Sequence, residues 1–187
     1  MNIARDHRNY GPTCFSTPCH VRGVCDPPDR PGVDLELHFG QVIETGQHSP
    51  RHVSLQHRIQ KLLERIVDAA WQVLIEAPYR PLPEYEARRS DVAVVSTERW
   101  NAAVSSGSLM GSPELCVEVL SPSNDEPSMS ERAGLCLGTG TVEFWIVDER
   151  RSNVVVTTRQ GSVLYESGDS IPLRIGGAQF PVSAVFD

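Results

Sequence analysis

The stretch Pro113-Glu114-Leu115-Cys116-Val117-Glu118-Val119-Leu120-Ser121-Pro122-Ser123 decides how the rest of the chain is read. Leu115 to Leu120 is an apolar run of strand length, closed by a Ser-Pro-Ser turn, and it suits a strand covered on both faces. Glu118 breaks that run. A carboxylate buried without a partner neutralises or costs roughly several kcal/mol, so Glu118 requires a cation, a hydrogen-bond donor or a metal.

Working outward, a second acid stands in similar company. Arg89-Ser90-Asp91-Val92-Ala93-Val94-Val95-Ser96 places Asp91 at the mouth of another short β-branched run, separated from Glu118 by enough chain for a loop and a return strand. Two carboxylates converging at a sheet edge repel unless a divalent cation lies between them, and such hard oxygen ligands suit magnesium, manganese or calcium. Taken singly, each acid also fits an N-cap, a turn residue or a salt bridge. Arg80, Arg88 and Arg89, just before Asp91, form either a local basic strip or scattered solvated arginines.

The bulk properties narrow the classes. With 187 residues, 40% hydrophobic and 22% charged, the chain suits one soluble domain with a substantial core. No apolar run approaches the roughly 20 residues that span a bilayer, and the polar start has no signal-peptide core, so a cytoplasmic protein without a membrane partner is expected. Five cysteines, an odd number, read as reduced thiols and not as a disulfide framework. The net charge of −7 argues against gripping nucleic acid through an overall basic field.

Residues 1–32 are rich in Gly, Pro, Cys and Arg and follow no period, which predicts an irregular, disordered or loosely packed leader ahead of one domain over 33–187. Cys14, Cys19, His20 and Cys25 invite a zinc reading but lack paired C-x2-C knuckles. From Val33 to Thr45 the alternation of Val33, Leu35, Leu37 and Phe39 predicts a hairpin turning at Gly40. Ser49-Pro50 then caps the clearest helix, with Leu55, Ile59, Leu62, Leu63 and Ile66 on its core face and His52 in its first turn. Trp71 to Ile75 reads as a strand, Ala77 to Arg88 as a loop, and Thr97 to Ser112 as a surface excursion in which Trp100 either docks a partner or packs as a lid. Met129 to Leu137 reads as a short helix, Val142 to Val147 as a buried strand, and Asn153 to Arg174 as a meander. Asp148, at the end of its strand, is expected to close a turn. This order of elements predicts an α/β or α+β domain built on a mixed sheet flanked by helices.

Ser90 to Ser96, Val117 to Ser123 and Val142 to Asp148 together resemble the three signature segments of the bacterial restriction endonuclease-like family within the PD-(D/E)XK nuclease superfamily. The resemblance runs from about Asp34 to the C-terminus, and His52 and Phe180-Pro181-Val182-Ser183-Ala184-Val185-Phe186 also fit. It implies a restriction endonuclease-like core and Mg2+- or Mn2+-dependent hydrolysis of DNA phosphodiesters. Asp91 and Glu118 would hold the metal, the Val119 carbonyl would be a third oxygen ligand, and His52 would be an accessory residue. A homodimer is also compatible with it. The chain departs from its relatives in four places. Gln41 stands where an acid usually follows the hairpin glycine, and Leu120 where the superfamily lysine ordinarily lies two residues after the acid. On the helix, Arg132 and Cys136 replace a lysine and a tyrosine, so Arg132 is the candidate for the positive catalytic role. These departures and the acidic net charge keep a second expectation open: a non-catalytic binding or interaction module on the same fold.

Overall fold

The computed structural model of the protein describes residues 34–46, 48–120 and 126–187. The leader at 1–32, its cysteines and the Ser121-Pro122-Ser123 turn lie outside the described residues. Alternation in the first apolar segment gives a hairpin, β1 (Asp34–His38) and β2 (Gln41–Thr45), turning through Phe39 and Gly40, both at positive φ. The Ser49 side chain accepts from the His52 N–H and Pro50 occupies the first turn, so helix α1 (Pro50–Ile66) starts where the sequence places it.

The remaining elements follow in order. They are β3 (Trp71–Tyr79), β4 (Arg88–Ser96), α2 (Thr97–Ser106), β5 (Leu115–Val119), α3 (Glu126–Gly138), β6 (Glu143–Asp148), β7 (Asn153–Thr158), β8 (Gly161–Glu166), β9 (Ser170–Pro172), β10 (Gln179–Pro181) and α4 (Ser183–Phe186). Strands β3 to β8 form one six-stranded mixed sheet in sequence order. Its one parallel pair is β5–β6, and α3 is the crossover between them.

Both faces of the sheet are covered, which explains the unbroken apolar runs. Val92, Val94, Leu115, Val117 and Val119 pack with Leu55, Ile59 and Leu63 of α1 and with Phe180, Val182 and Val185 near the C-terminus. The alternate residues Ala93, Val95 and Cys116 pack on the other face with Ala103, Ala133 and Cys136. By strand alternation, Glu118 falls on this second face, beneath α3. Cys116 and Cys136 are free and buried.

Several local expectations need correction. The segment read as a surface excursion contains α2, which ends on Gly107 at φ 87, and Trp100 packs against the second apolar cluster. Strand β3 runs on to Tyr79, into the stretch read as loop. Arg80 and Arg88 are buried, so with exposed Arg89 they do not form a basic strip. Asp148 does close a turn, accepting from the Arg150 and Arg151 N–H groups. Among the described residues no helix is long and apolar enough to cross a membrane.

Candidate metal and phosphate site

The β4–β5 ladder pairs Val92 with Val117 and ends there, so Asp91 and Glu118 stand opposite each other just past the last pair. Asp91 fills the gap: its Oδ2 accepts the Val119 N–H at 2.6 Å, taking up a backbone donor at the end of the ladder. Its Oδ1 accepts from Gln56 Nε2 at 2.9 Å and lies 3.1 Å from His52 Nε2. Both of those side chains come from α1. The Ser90 hydroxyl donates to the Val92 carbonyl, which fixes the backbone before Asp91.

Glu118 is 4% exposed, and its Oε1 has no hydrogen-bond partner. Arg132 compensates it. The Arg132 Nε lies 3.3 Å from Glu118 Oε1, also without a hydrogen bond, while its Nη2 lies 3.1 Å from Glu36 Oε1 and donates to the Arg89 carbonyl. Burial pushes the Glu118 carboxyl well above the ordinary range, against the pull of Arg132, and Asp91 and Glu36 add repulsion. Glu36 goes the other way. Burial opposes its charge, but Arg132, His38 and the Arg89 N–H together bring its pKa down to about 2.

Glu36 reaches the site because β1 pairs through Leu37 with Ala87, the residue before β4. Sequence reasoning gave Glu36 no metal role, since it does not occupy the place directly after the hairpin glycine where the resemblance implies an acid. Two further acids extend the row. Glu76 stands opposite Asp91 in the β3–β4 register, and its φ of 50 is rare for a residue other than glycine. Its Oε1 accepts from Gln56 Nε2 at 2.5 Å and lies 3.3 Å from His48 Nε2. Glu76, Asp91 and Glu118 thus occupy adjacent places on three neighbouring strands. His48 and His52 stack with ring centroids 4.2 Å apart, and donor atoms of His48, His52 and Asp91 all lie within 4.8 Å of one another. One sequence signal for this group was available: His48, His52 and Gln56 recur every four residues across the start of α1.

Of the expected site residues, Asp91 and Glu118 share one end of the β4–β5 pair, Arg132 touches Glu118, and His52 touches Asp91. Val119 follows Glu118, and its N–H is the group Asp91 accepts from. Gln41 is exposed on the hairpin. Cys136 exchanges a hydrogen bond with the buried Tyr79 hydroxyl at 3.3 Å, so a phenol from β3 lies beside α3.

This arrangement can hold a divalent cation and, next to it, an anionic group facing Arg132. Comparison with known proteins bears on its origin. A search of curated proteins gives no match. The fold matches the crystal structure of a protein described as "a putative nuclease belonging to DUF820" from Anabaena variabilis, with a TM-score of 0.69 over 81% of this chain and 89% of that one, at 17% identity. The model of the Uma2 family, described as "putative restriction endonuclease", matches residues 24–182, which take in every strand and helix named above except α4. The chain belongs to the Uma2 restriction endonuclease-like family.

Proposed function

We propose that the protein hydrolyses phosphodiester bonds in DNA with a divalent cation, magnesium or manganese, held by Asp91 and Glu118 with the Val119 carbonyl as a third ligand. The observation that carries this reading is the buried Glu118 Oε1, which accepts no hydrogen bond although the Arg132 Nε lies 3.3 Å away, on a residue that stands opposite Asp91 at the end of the ladder. A buried carboxylate oxygen without a donor is a poor solvation state and a good cation ligand. The donors here are carboxylate and carbonyl oxygens, a set that fits a hard ion.

When bound, such an ion polarises the phosphate and lowers the pKa of the attacking water. The chain's own residues do the rest. Asp91 is fixed by the Val119 N–H and Gln56, so its carboxylate does not swing. Arg132 is anchored by Glu36 and the Arg89 carbonyl, so the guanidinium stays in place without relying on Glu118. Arg132 then offsets negative charge on the phosphate as it becomes pentacovalent. Arginine does not lose its proton near neutral pH, so its part is electrostatic and not that of a proton carrier.

A cleavage assay tests this on plasmid and single-stranded DNA with magnesium, manganese or a chelator. The reading requires metal-dependent nicking that disappears in Glu118→Ala. The second reading, a non-catalytic binding module, is favoured by arginine in place of the helix lysine and by the net charge of −7. Metal binding at Asp91 and Glu118 without nicking of any substrate would select it.

A further inference from the structure

His52 is 7% exposed, and its Nε2 has no hydrogen-bond partner although Asp91 Oδ1 lies only 3.1 Å away. The two atoms are close but not aligned as donor and acceptor. An imidazolium paired with Asp91 would point its N–H along the line to the oxygen. Two ligands of one metal ion do not point at each other. Each points at the ion, and bonds of about 2.1 Å meeting at a right angle leave the donors roughly 3.0 Å apart.

His48 completes the case. It precedes the Ser49 cap of α1, stacks on His52 with the rings 18° from parallel, and has its Nε2 3.3 Å from Glu76 Oε1 and 4.0 Å from Asp91 Oδ1. The stack brings one ring nitrogen of each histidine and a carboxylate oxygen of Asp91 within 4.8 Å of one another. Glu76 reaches His48 from a left-handed backbone, which for a non-glycine residue costs roughly 1–2 kcal/mol. Strain of that kind in mid-strand is a feature of ligand clamps.

We infer that His48, His52 and Asp91, with Glu76 beside them, form a binding site for a divalent transition-metal ion, distinct from the all-oxygen site at Asp91 and Glu118 and sharing only Asp91 with it. Two imidazole nitrogens favour ions of the cobalt, nickel or zinc kind over magnesium, which prefers oxygen and gives up water reluctantly. The inference stands on the histidine geometry and does not require that the protein cleave DNA.

Cobalt(II) is the probe, followed by its visible absorption, with calorimetric titration of zinc as a second measurement on the full chain. Wild type should take up one equivalent of cobalt with a histidine-type spectrum that zinc removes and millimolar magnesium does not. His48→Ala, a change at a partly exposed residue, should weaken cobalt binding by roughly tenfold or more, as should His52→Asn. Glu118→Gln should leave the cobalt spectrum and affinity in place. Unchanged affinity and spectrum in His48→Ala would overturn the site, as would the absence of cobalt binding in wild type. Cobalt binding lost in Glu118→Gln and kept in both histidine variants would place the ion at the acid pair and also overturn it. Loss of magnesium-dependent nicking in Glu118→Ala is scored separately, so the cleavage reading and this site fail independently.

Discussion

Arg132 reaches Glu36, the Arg89 carbonyl and the edge of Glu118 at once with its guanidinium. Its charge is therefore already divided among acceptors before any phosphate arrives. A lysine is a compact point charge that cannot span all three, so it would leave Glu36 or Arg89 and turn to the reacting phosphate. We expect Arg132→Lys to raise cleavage by roughly tenfold, since one well-placed donor is worth on the order of a hundredfold. Manganese affinity should stay within about threefold, because the charge beside Glu118 is kept. A flat rate in both Arg132→Lys and Arg132→Ala would remove Arg132 from the reaction. Glu118 carries its own test. Burial raises its carboxyl, so a cation must displace a proton, and apparent affinity should climb as pH rises above the ordinary carboxylate range. Calorimetry in buffers of different ionisation enthalpy measures the released proton. A pH-independent affinity, or the same slope in Glu118→Gln, would count against Glu118 as a ligand.

At the scale of elements, hairpin β1–β2 is tied to the site through Glu36, and that tie has a pH signature. The folded-state pKa of Glu36 lies at about 2 against an ordinary 4.5, so its contribution is fully present above about 4.5 and is lost as pH falls through 2. The shift corresponds to roughly 3 kcal/mol. Glu118 has the opposite shift, so its contribution grows as pH falls towards about 4.5 and is level below that, and the comparison with Glu36→Gln, which leaves Glu118 in place, separates the two. Urea unfolding of wild type between about pH 5 and 2 should show this loss, and Glu36→Gln should show a shallower fall. Identical slopes would mean that the Arg132 contact does not hold the hairpin. The same elements show what the sequence makes readable. α1 is legible because Ser49-Pro50 and its apolar face act locally, Glu118 because it interrupts an apolar strand, and Asp91 because it stands at the mouth of another. α2 was hidden because it buries only Ala103 and so carries no apolar stripe. Glu36 and Glu76 were hidden because each is an ordinary polar residue in its own segment, whereas His48 and Gln56 left a trace in their four-residue spacing from His52. They meet only through the pairing of Leu37 with Ala87, the β3–β4 register and the left-handed backbone at Glu76.

For the molecule as a whole, the net charge of −7 sets how it can approach DNA. Non-specific affinity for a duplex comes from cations that replace the counterions of the phosphates. Here two arginines near the site, Arg80 and Arg88, are buried and turned inward, with Arg88 held by Glu86 at 2.7 Å. In the proposed site the phosphate would meet a row of acidic residues, Glu76, Asp91 and Glu118. A bound divalent cation reverses the sign of that local field, so affinity for DNA, and not only turnover, should depend on it. Fluorescence anisotropy with a labelled duplex measures this, using calcium in place of magnesium to hold the complex without rapid cleavage. We expect at least tenfold tighter binding with calcium than with chelator at the same ionic strength. The gain should disappear in the double variant Asp91→Asn, Glu118→Gln, since neutral amides no longer hold the ion. Equal affinity in calcium and chelator would mean that the DNA lies elsewhere on the surface and that the acidic row does not face the phosphate.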